Sequence, residues 1–361
     1  MHPMTSIERM TNLLRRQPVD RIGLYEHFWG DTRKVWTEEG HISEDEDLAD
    51  HFGFDMDKVS PFKLVADLEM EPEVIEETEE TILVRDGDGA LMRRHKLHDA
   101  TPEHVDFLVK DRAGWEEHIK PRLTPDRARI DFEAYRQAKA HARERERFFC
   151  WAGIHVFEIM KNVTGHQYML MGMALDPDWV RDMVNTYTQL TIDLQEILFS
   201  EEGEPDGIWY YEDMGFKGRP FMSPTMYREI VQPGHAKGFA FARSRGLPVT
   251  IHSCGYVAPL VPGLVEAGMD CLQVIEVKAG MDLLELYRDY GEVLSFMGGI
   301  DVRVLYSNDR AQVDAELEAK VPVVKGRCGY TLHSDHSIPN TVHYDTYRYF
   351  VERGLELGSI S

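Results

Sequence analysis

His252 and Cys254 flank a single serine at the end of an apolar run, Leu247-Pro-Val-Thr-Ile, and Gly255 follows them. Such a run reads as a buried strand, and residues two apart on a strand face the same side. Gly255 permits the chain reversal that lets both side chains turn toward one point. An imidazole nitrogen beside a thiolate sulfur is a donor pair that suits zinc. A third donor, Cys328, stands after a second apolar run, Val321-Pro-Val-Val, and precedes Gly329. Three donors at strand ends with a fourth position open would make a catalytic rather than a structural zinc. Taken singly, a cysteine is a small core hydrophobe and a strand-end histidine is a hydrogen-bonded polar group. The case for metal rests on all three together.

Other side chains with chemistry stand at comparable places. Glu212 and Asp213 follow the run Asp206-Gly-Ile-Trp-Tyr-Tyr211 and could ligate zinc or act as acid and base; the plainer reading is an exposed loop pair. His333 could orient substrate or donate a proton, and His336 could support the metal ligands. Asp335 between them is suited to capping local backbone. Glu276 and Lys278 end another apolar run, where Glu276 could meet substrate or simply pair with the lysine. Tyr25, His27, Phe28 and Trp29 could line a pocket for an aromatic ring, although aromatic clusters are more often core. Cys150 and Cys271 lie within apolar runs and read as core, and Asp301 reads as a backbone-positioning turn residue.

The elements that must position these residues alternate. Ser6 to Arg16 reads as a helix, 21–25 as a first strand and 31–60 as helix and loop. Thr81-Ile-Leu-Val-Arg85 and Ala90-Leu-Met-Arg-Arg94 flank Asp86-Gly-Asp-Gly89, which predicts a β-hairpin within 74–95. Residues 101–147 are charged and helical in pattern, and the run 140–147 reads as a solvated helix face. From Phe148 strands are predicted at 148–152, 206–211, 247–252, 271–275, 293–297 and 321–328. Helices are predicted between them, and a last helix spans 344–357. This rhythm argues for a parallel sheet. Polar clusters after successive strands suit a ring, so the expected fold is a single (β/α)8 barrel over 1–361, with 1–147 less regular and carrying the hairpin. An open doubly wound sheet is the runner-up.

Composition narrows the function. The chain has 361 residues, of which 43% are hydrophobic, so a substantial core is available. A net charge of −23 opposes nucleic acid and anionic membrane as partners. The absence of a long apolar run and of an apolar leader predicts a cytoplasmic protein. Four scattered cysteines do not make a disulfide framework.

Several stretches together resemble the uroporphyrinogen decarboxylase superfamily, whose members are (β/α)8 barrels. They are Ala174-Leu-Asp-Pro-Asp178, Ser223-Pro-Thr-Met-Tyr-Arg-Glu, Val249-Thr-Ile-His-Ser-Cys-Gly-Tyr, Val277-Lys-Ala-Gly-Met-Asp282, Met297-Gly-Gly-Ile-Asp301 and Gly329-Tyr-Thr-Leu-His-Ser-Asp-His-Ser-Ile-Pro339. The arginine-rich segment by which the decarboxylases hold substrate carboxylates is replaced here by Leu24-Tyr-Glu-His-Phe-Trp-Gly-Asp31. Without guanidinium forks a polycarboxylate loses its bidentate partners. The His-x-Cys pair with a later cysteine is similar instead to the corrinoid-dependent methyltransferases of that superfamily. That resemblance implies zinc on His252, Cys254 and Cys328, and methyl transfer between a small molecule and a corrinoid. No Asp-x-His-x-x-Gly motif occurs, so the corrinoid is expected on a separate protein. The expected partners are thus a small methyl donor or acceptor, such as a methoxylated aromatic or a thiol, and a corrinoid-binding protein. Homodimerisation stays open. A carboxy-lyase acting on another carboxylate and a non-catalytic binding barrel are the alternatives.

Overall fold

The computed structural model describes residues 3–97, 101–326 and 329–360. Its strands, in chain order, are β1 (Gly23–Leu24), β2 (Met56–Val59), β3 (Glu73–Glu77), β4 (Thr81–Arg85), β5 (Leu91–His95), β6 (Glu103–Asp106) and β7 (Phe148–Ile154). They continue as β8 (Gly207–Tyr211), β9 (Gly215–Phe216), β10 (Arg219–Pro220), β11 (Val249–Ser253), β12 (Cys271–Val274), β13 (Ser295–Gly298) and β14 (Tyr330–Leu332). Eight of these form one parallel sheet in the order β1-β14-β13-β12-β11-β8-β7-β2. Across its two edges Asp55 N donates to Leu24 O at 2.8 Å, which nearly closes the sheet into a (β/α)8 barrel. Helices follow the strands and cover the outside. Strands sandwiched between a filled interior and a helical shell must be apolar on both faces. All residues of β12, β13 and β14 are accordingly buried.

Three expectations need correction. Val321–Val324 is not a strand but the end of the helix Arg310–Val324, whose buried residues are Val313, Leu317, Val321 and Val324. That spacing is one face of a helix; the last barrel strand is β14. Residues 31–60 are not all helix and loop, because Met56–Val59 supplies a barrel strand paired with β7. The hairpin is present as β4 and β5, but β3 and β6 flank it in a four-stranded antiparallel sheet. Glu103–Asp106 was therefore misjudged as helical; an exposed edge strand is held by backbone pairing and needs no apolar alternation.

The charged run before β7 is more than a solvated face. Arg147 is buried and reaches Asp47, Asp50 and Asp57, while Arg143 makes a forked pair with Asp206 at 2.6 and 2.8 Å. At the opposite end from the catalytic loops of such barrels, the helix Ser6–Leu14 plugs the floor. Ser295 Oγ at the start of β13 donates to Leu13 O at 2.7 Å. Gly329 packs there so closely that a Cβ would lie 1.7 Å from Leu13 O.

Candidate functional site

Polar side chains converge where β1, β8, β11, β12 and β14 end, the face on which (β/α)8 barrels place their chemistry. Strand register brings His252 level with Tyr211 of β8 and Gln273 of β12. His252 Nε2 lies 3.3 Å from Cys254 Sγ and 3.4 Å from Asp213 Oδ1. One donor atom from each of Asp213, His252 and Cys254 lies within 4.8 Å of the others. Ligands of a tetrahedral zinc stand roughly 3.4–3.6 Å apart, so the set fits that ion.

The surrounding bonds hold this arrangement. Asp213 Oδ1 accepts from Cys254 N at 2.8 Å, and Glu276 Oε2 accepts from Gly255 N at 2.6 Å. Gly255 has φ +80°, and a Cβ there would meet the Gly215 carbonyl carbon at 2.2 Å. Only glycine makes this turn without displacing the facing loop.

Hydrogen bonding also selects the histidine tautomers. His252 Nδ1 donates to Gln273 Oε1, which leaves the Nε2 lone pair directed at the donor set. Gln273 Nε2 in turn donates to His333 Nε2 at 3.3 Å, and His333 Nδ1 donates to Ser334 O. His27 Nδ1 donates to the same His333 Nε2 at 3.0 Å, and His27 Nε2 accepts from Lys58 Nζ. Burial lowers the pKa of His252 and brings His333 down to about 3, so both imidazoles are neutral. Neutral imidazole is the form that binds metal. Burial pushes the Cys254 thiol well up. A bound cation reverses that preference and deprotonates a ligating thiol.

The remaining expected residues fall in different places. His27, Trp29, His333 and His336 line a cavity of about 200 Å³ with Asp213, His252, Cys254 and Gln273. The Trp29 and His336 rings stack at 5.9 Å. Tyr25 is buried, with its hydroxyl 3.4 Å from His27 Nε2. Phe28 turns instead into an aromatic cluster with Trp36, Phe52, Phe54 and Tyr347. Glu212 is not an exposed loop residue: it is buried and accepts from Phe157 N, Glu158 N and His235 Nε2. It thereby anchors the start of the helix Val156–Leu175 rather than facing the donor set. Glu276 pins Gly255 and pairs with Lys278 at 3.5 Å. Asp335 accepts from Val277 N and Val302 N, the backbone role its type suggests. Cys328 lies outside the described residues. Among the described residues the third donor beside His252 and Cys254 is Asp213.

Gln273, Lys58 and Glu26 were not singled out from the sequence. An amide within an apolar strand carries no signature, whereas a lysine within a barrel strand is a signal once the strand is recognised. Glu26 is buried, lies 3.2 Å from His333 Nε2, and is pushed up to about 8 by that burial. A larger cavity of about 610 Å³ adjoins the donor set, with Thr101 lining both. It lies between the β3–β6 sheet, through Met92, Arg94 and His104, and the barrel, through Trp151, Ile154 and Tyr211.

The family profile described as Uroporphyrinogen decarboxylase (URO-D) matches residues 149–356, from β7 to the last helix. The chain belongs to the uroporphyrinogen decarboxylase family. Among solved structures this family member is similar to a methyltransferase from Methanosarcina mazei, with a TM-score of 0.68 and 16% identity over 98% of this chain and 99% of that one. The likeness shows a shared fold. A chitinase from Chromobacterium violaceum aligns over 93% of this chain and 99% of its own at a TM-score of 0.42 and 9% identity, too loose to carry an argument. No curated protein matches the chain. No helix among the described residues is long and apolar enough to cross a membrane.

Proposed function

We propose that this protein is a zinc-dependent methyltransferase that moves a methyl group between a small molecule and a corrinoid carried on a separate protein. The observation that carries the reading is the convergence of Asp213, His252 and Cys254 at the barrel mouth, with His252 Nε2 freed by Gln273. The M. mazei methyltransferase, which shares the fold across nearly its whole length, supports it. Zinc at this site supplies Lewis acidity toward an ether oxygen or lowers the pKa of a bound thiol. Asp213, His252 and Cys254 would hold the ion, and the neighbouring His336 lines the same cavity. Gln273 keeps His252 in the ligating tautomer, and Trp29 with His336 walls the cavity. His333 and His27, both neutral, are joined by a hydrogen bond and line the same cavity. A small methoxylated aromatic could lie against Trp151, Ile154 and Tyr211 in the adjoining cavity, and a porphyrinogen would find no arginine in Leu24–Asp31.

The test is metal analysis of the purified protein, followed by reloading with cobalt(II). One ion per chain and a thiolate-to-cobalt absorption band that Cys254→Ser removes are expected. Metal binding that survives both His252→Ala and Cys254→Ser would sink the proposal. A carboxy-lyase is the second reading, favoured by the family match. Carbon dioxide release from an aromatic acid, without methylation of an added corrinoid protein, would select it.

A further inference from the structure

Lys58 is a charged residue on the inward side of a barrel strand, and nothing assigned so far requires an amine there. Its Nζ stands 4.3 Å from the Trp209 ring centroid, 4.9 Å from that of Tyr211 and 5.2 Å from that of Tyr25. Its polar contact is His27 Nε2. Among the described residues no carboxylate comes within 4.0 Å of it. In a chain with 63 acidic and 40 basic residues, a cation inside the barrel without an anion is out of keeping with its surroundings. The neighbours do not supply one. Burial, reinforced by Lys58 and His333, holds His27 neutral, and burial keeps the nearby Cys150 thiol protonated. Ring faces attract a cation but leave its charge uncompensated. Burial without a counter-ion brings the amine down to about 7.

Lys58 is half-buried; its partner His27 lines the 200 Å³ cavity and its neighbour Tyr211 lines the 610 Å³ one. Tyr211 connects this amine to the rest of the site. Its ring lies beside Lys58, packs edge-on to His252 at 5.3 Å, and lines the 610 Å³ cavity. A planar ligand lying against Tyr211 would therefore have a cation at one edge and the donor set at another.

We propose that Lys58 binds the anionic group of the substrate, and that this substrate is a small aromatic carboxylate whose single charge completes an ion pair the protein leaves open. The aromatic walls select a planar body, and an ammonium without a carboxylate beside it selects a negative charge at the edge nearest Lys58. This rests on reading the barrel mouth as the substrate site; it does not depend on zinc or on a corrinoid.

The probes are benzoate and its neutral isostere benzamide, titrated calorimetrically into the full-length protein as purified and after chelation. Wild type is expected to prefer benzoate at least tenfold, with the preference intact in metal-free protein. Lys58→Met should bind the two alike while keeping its metal content. Equal binding of the two probes by wild type, no binding of either, or a preference retained by Lys58→Met would overturn the proposal. A preference that vanishes on chelation would place the anion on the metal and overturn it equally, while leaving the metal reading standing. If Lys58→Met does not fold, labelling of wild type with trinitrobenzenesulfonate at pH 7.5 decides. Benzoate, and not benzamide, should protect the Lys58 peptide seen by mass spectrometry, and equal or absent protection refutes the assignment.

Discussion

At the scale of single residues, Gln273 decides what His252 can do. Its carboxamide oxygen accepts a hydrogen bond from His252 Nδ1 and its amide nitrogen donates to His333, so one side chain orients two histidines. Partners of this kind are worth about 10–100-fold in metal affinity. Gln273→Leu is therefore expected to weaken zinc binding by about that factor while leaving the fold in place, as read by competition with a chromophoric chelator. Unchanged affinity would remove Gln273 from the site. His252 and Cys254 were legible in the sequence because few residue types bind soft metals and their spacing survives any strand geometry. Gln273 was not, because its role comes from register with β11, which no local pattern records.

At the scale of elements, the seam between β1 and β2 is held by a buried ion cluster. The buried Asp55 carboxylate accepts from Arg9 Nη1 at 2.7 Å, Arg21 Nη1 at 2.8 Å, Leu24 N at 2.8 Å and Ser6 Oγ at 2.8 Å. It binds the floor helix to both edge strands at the point where the sheet has fewest backbone bonds. Asp55→Ala leaves Arg21 without its carboxylate and Arg9 with Asp20 alone, a change that costs about 3 kcal/mol, the lower end for breaking a buried pair. Urea unfolding should show that loss, and a loss under about 1 kcal/mol would mean water replaces the carboxylate. The strand misread at 321–324 belongs to this scale too. Val321-Pro-Val-Val is apolar enough for either element, and only its alignment with Val313 and Leu317 on the helix face separates them.

At the scale of the whole molecule, buried acids and net charge act in the same direction. Burial pushes Glu26 up to about 8 and Glu158 and Glu212 up to about 7. Each holds a proton in the folded state that the unfolded chain releases near the ordinary carboxylate value. The stability they contribute is present in full below that value and is lost as pH rises through 7 to 8. The formal charge of −23 adds repulsion over the same range. Asp20 and Asp47 have the opposite sign. Burial opposes their ionisation, but Arg9 overrides it at Asp20, and His141 with Arg147 hold Asp47 down to about 2. Their contribution is present above the ordinary value and is lost as pH falls toward the folded one. Scanning calorimetry should give a higher Tm at about pH 6 than at about pH 8.5, with a second decline below about pH 4. A Tm that climbs from neutral to alkaline pH would contradict the assignment of the three glutamates.

The alternation of apolar runs with helical segments after Phe148 pointed to a parallel sheet, because strands covered on both sides must be apolar throughout, and closure into a barrel came with β1 and β2 at its edges. The same runs marked several strand ends, and with them His252, Cys254, Asp213 and Glu212 as candidates. Tertiary structure decided which of these meet. Asp213 faces the His252–Cys254 pair while its neighbour Glu212 turns away to hold His235 and a helix N-terminus, because successive residues leaving a strand point to opposite sides. It also decided where Lys58 stands. A lysine in Met-Asp-Lys-Val looks solvent-bound until β2 pairs with β7 and folds the amine inward among Tyr25, Trp209 and Tyr211. That placement depends on contacts between residues distant in the chain, and their energies appear only when the barrel closes.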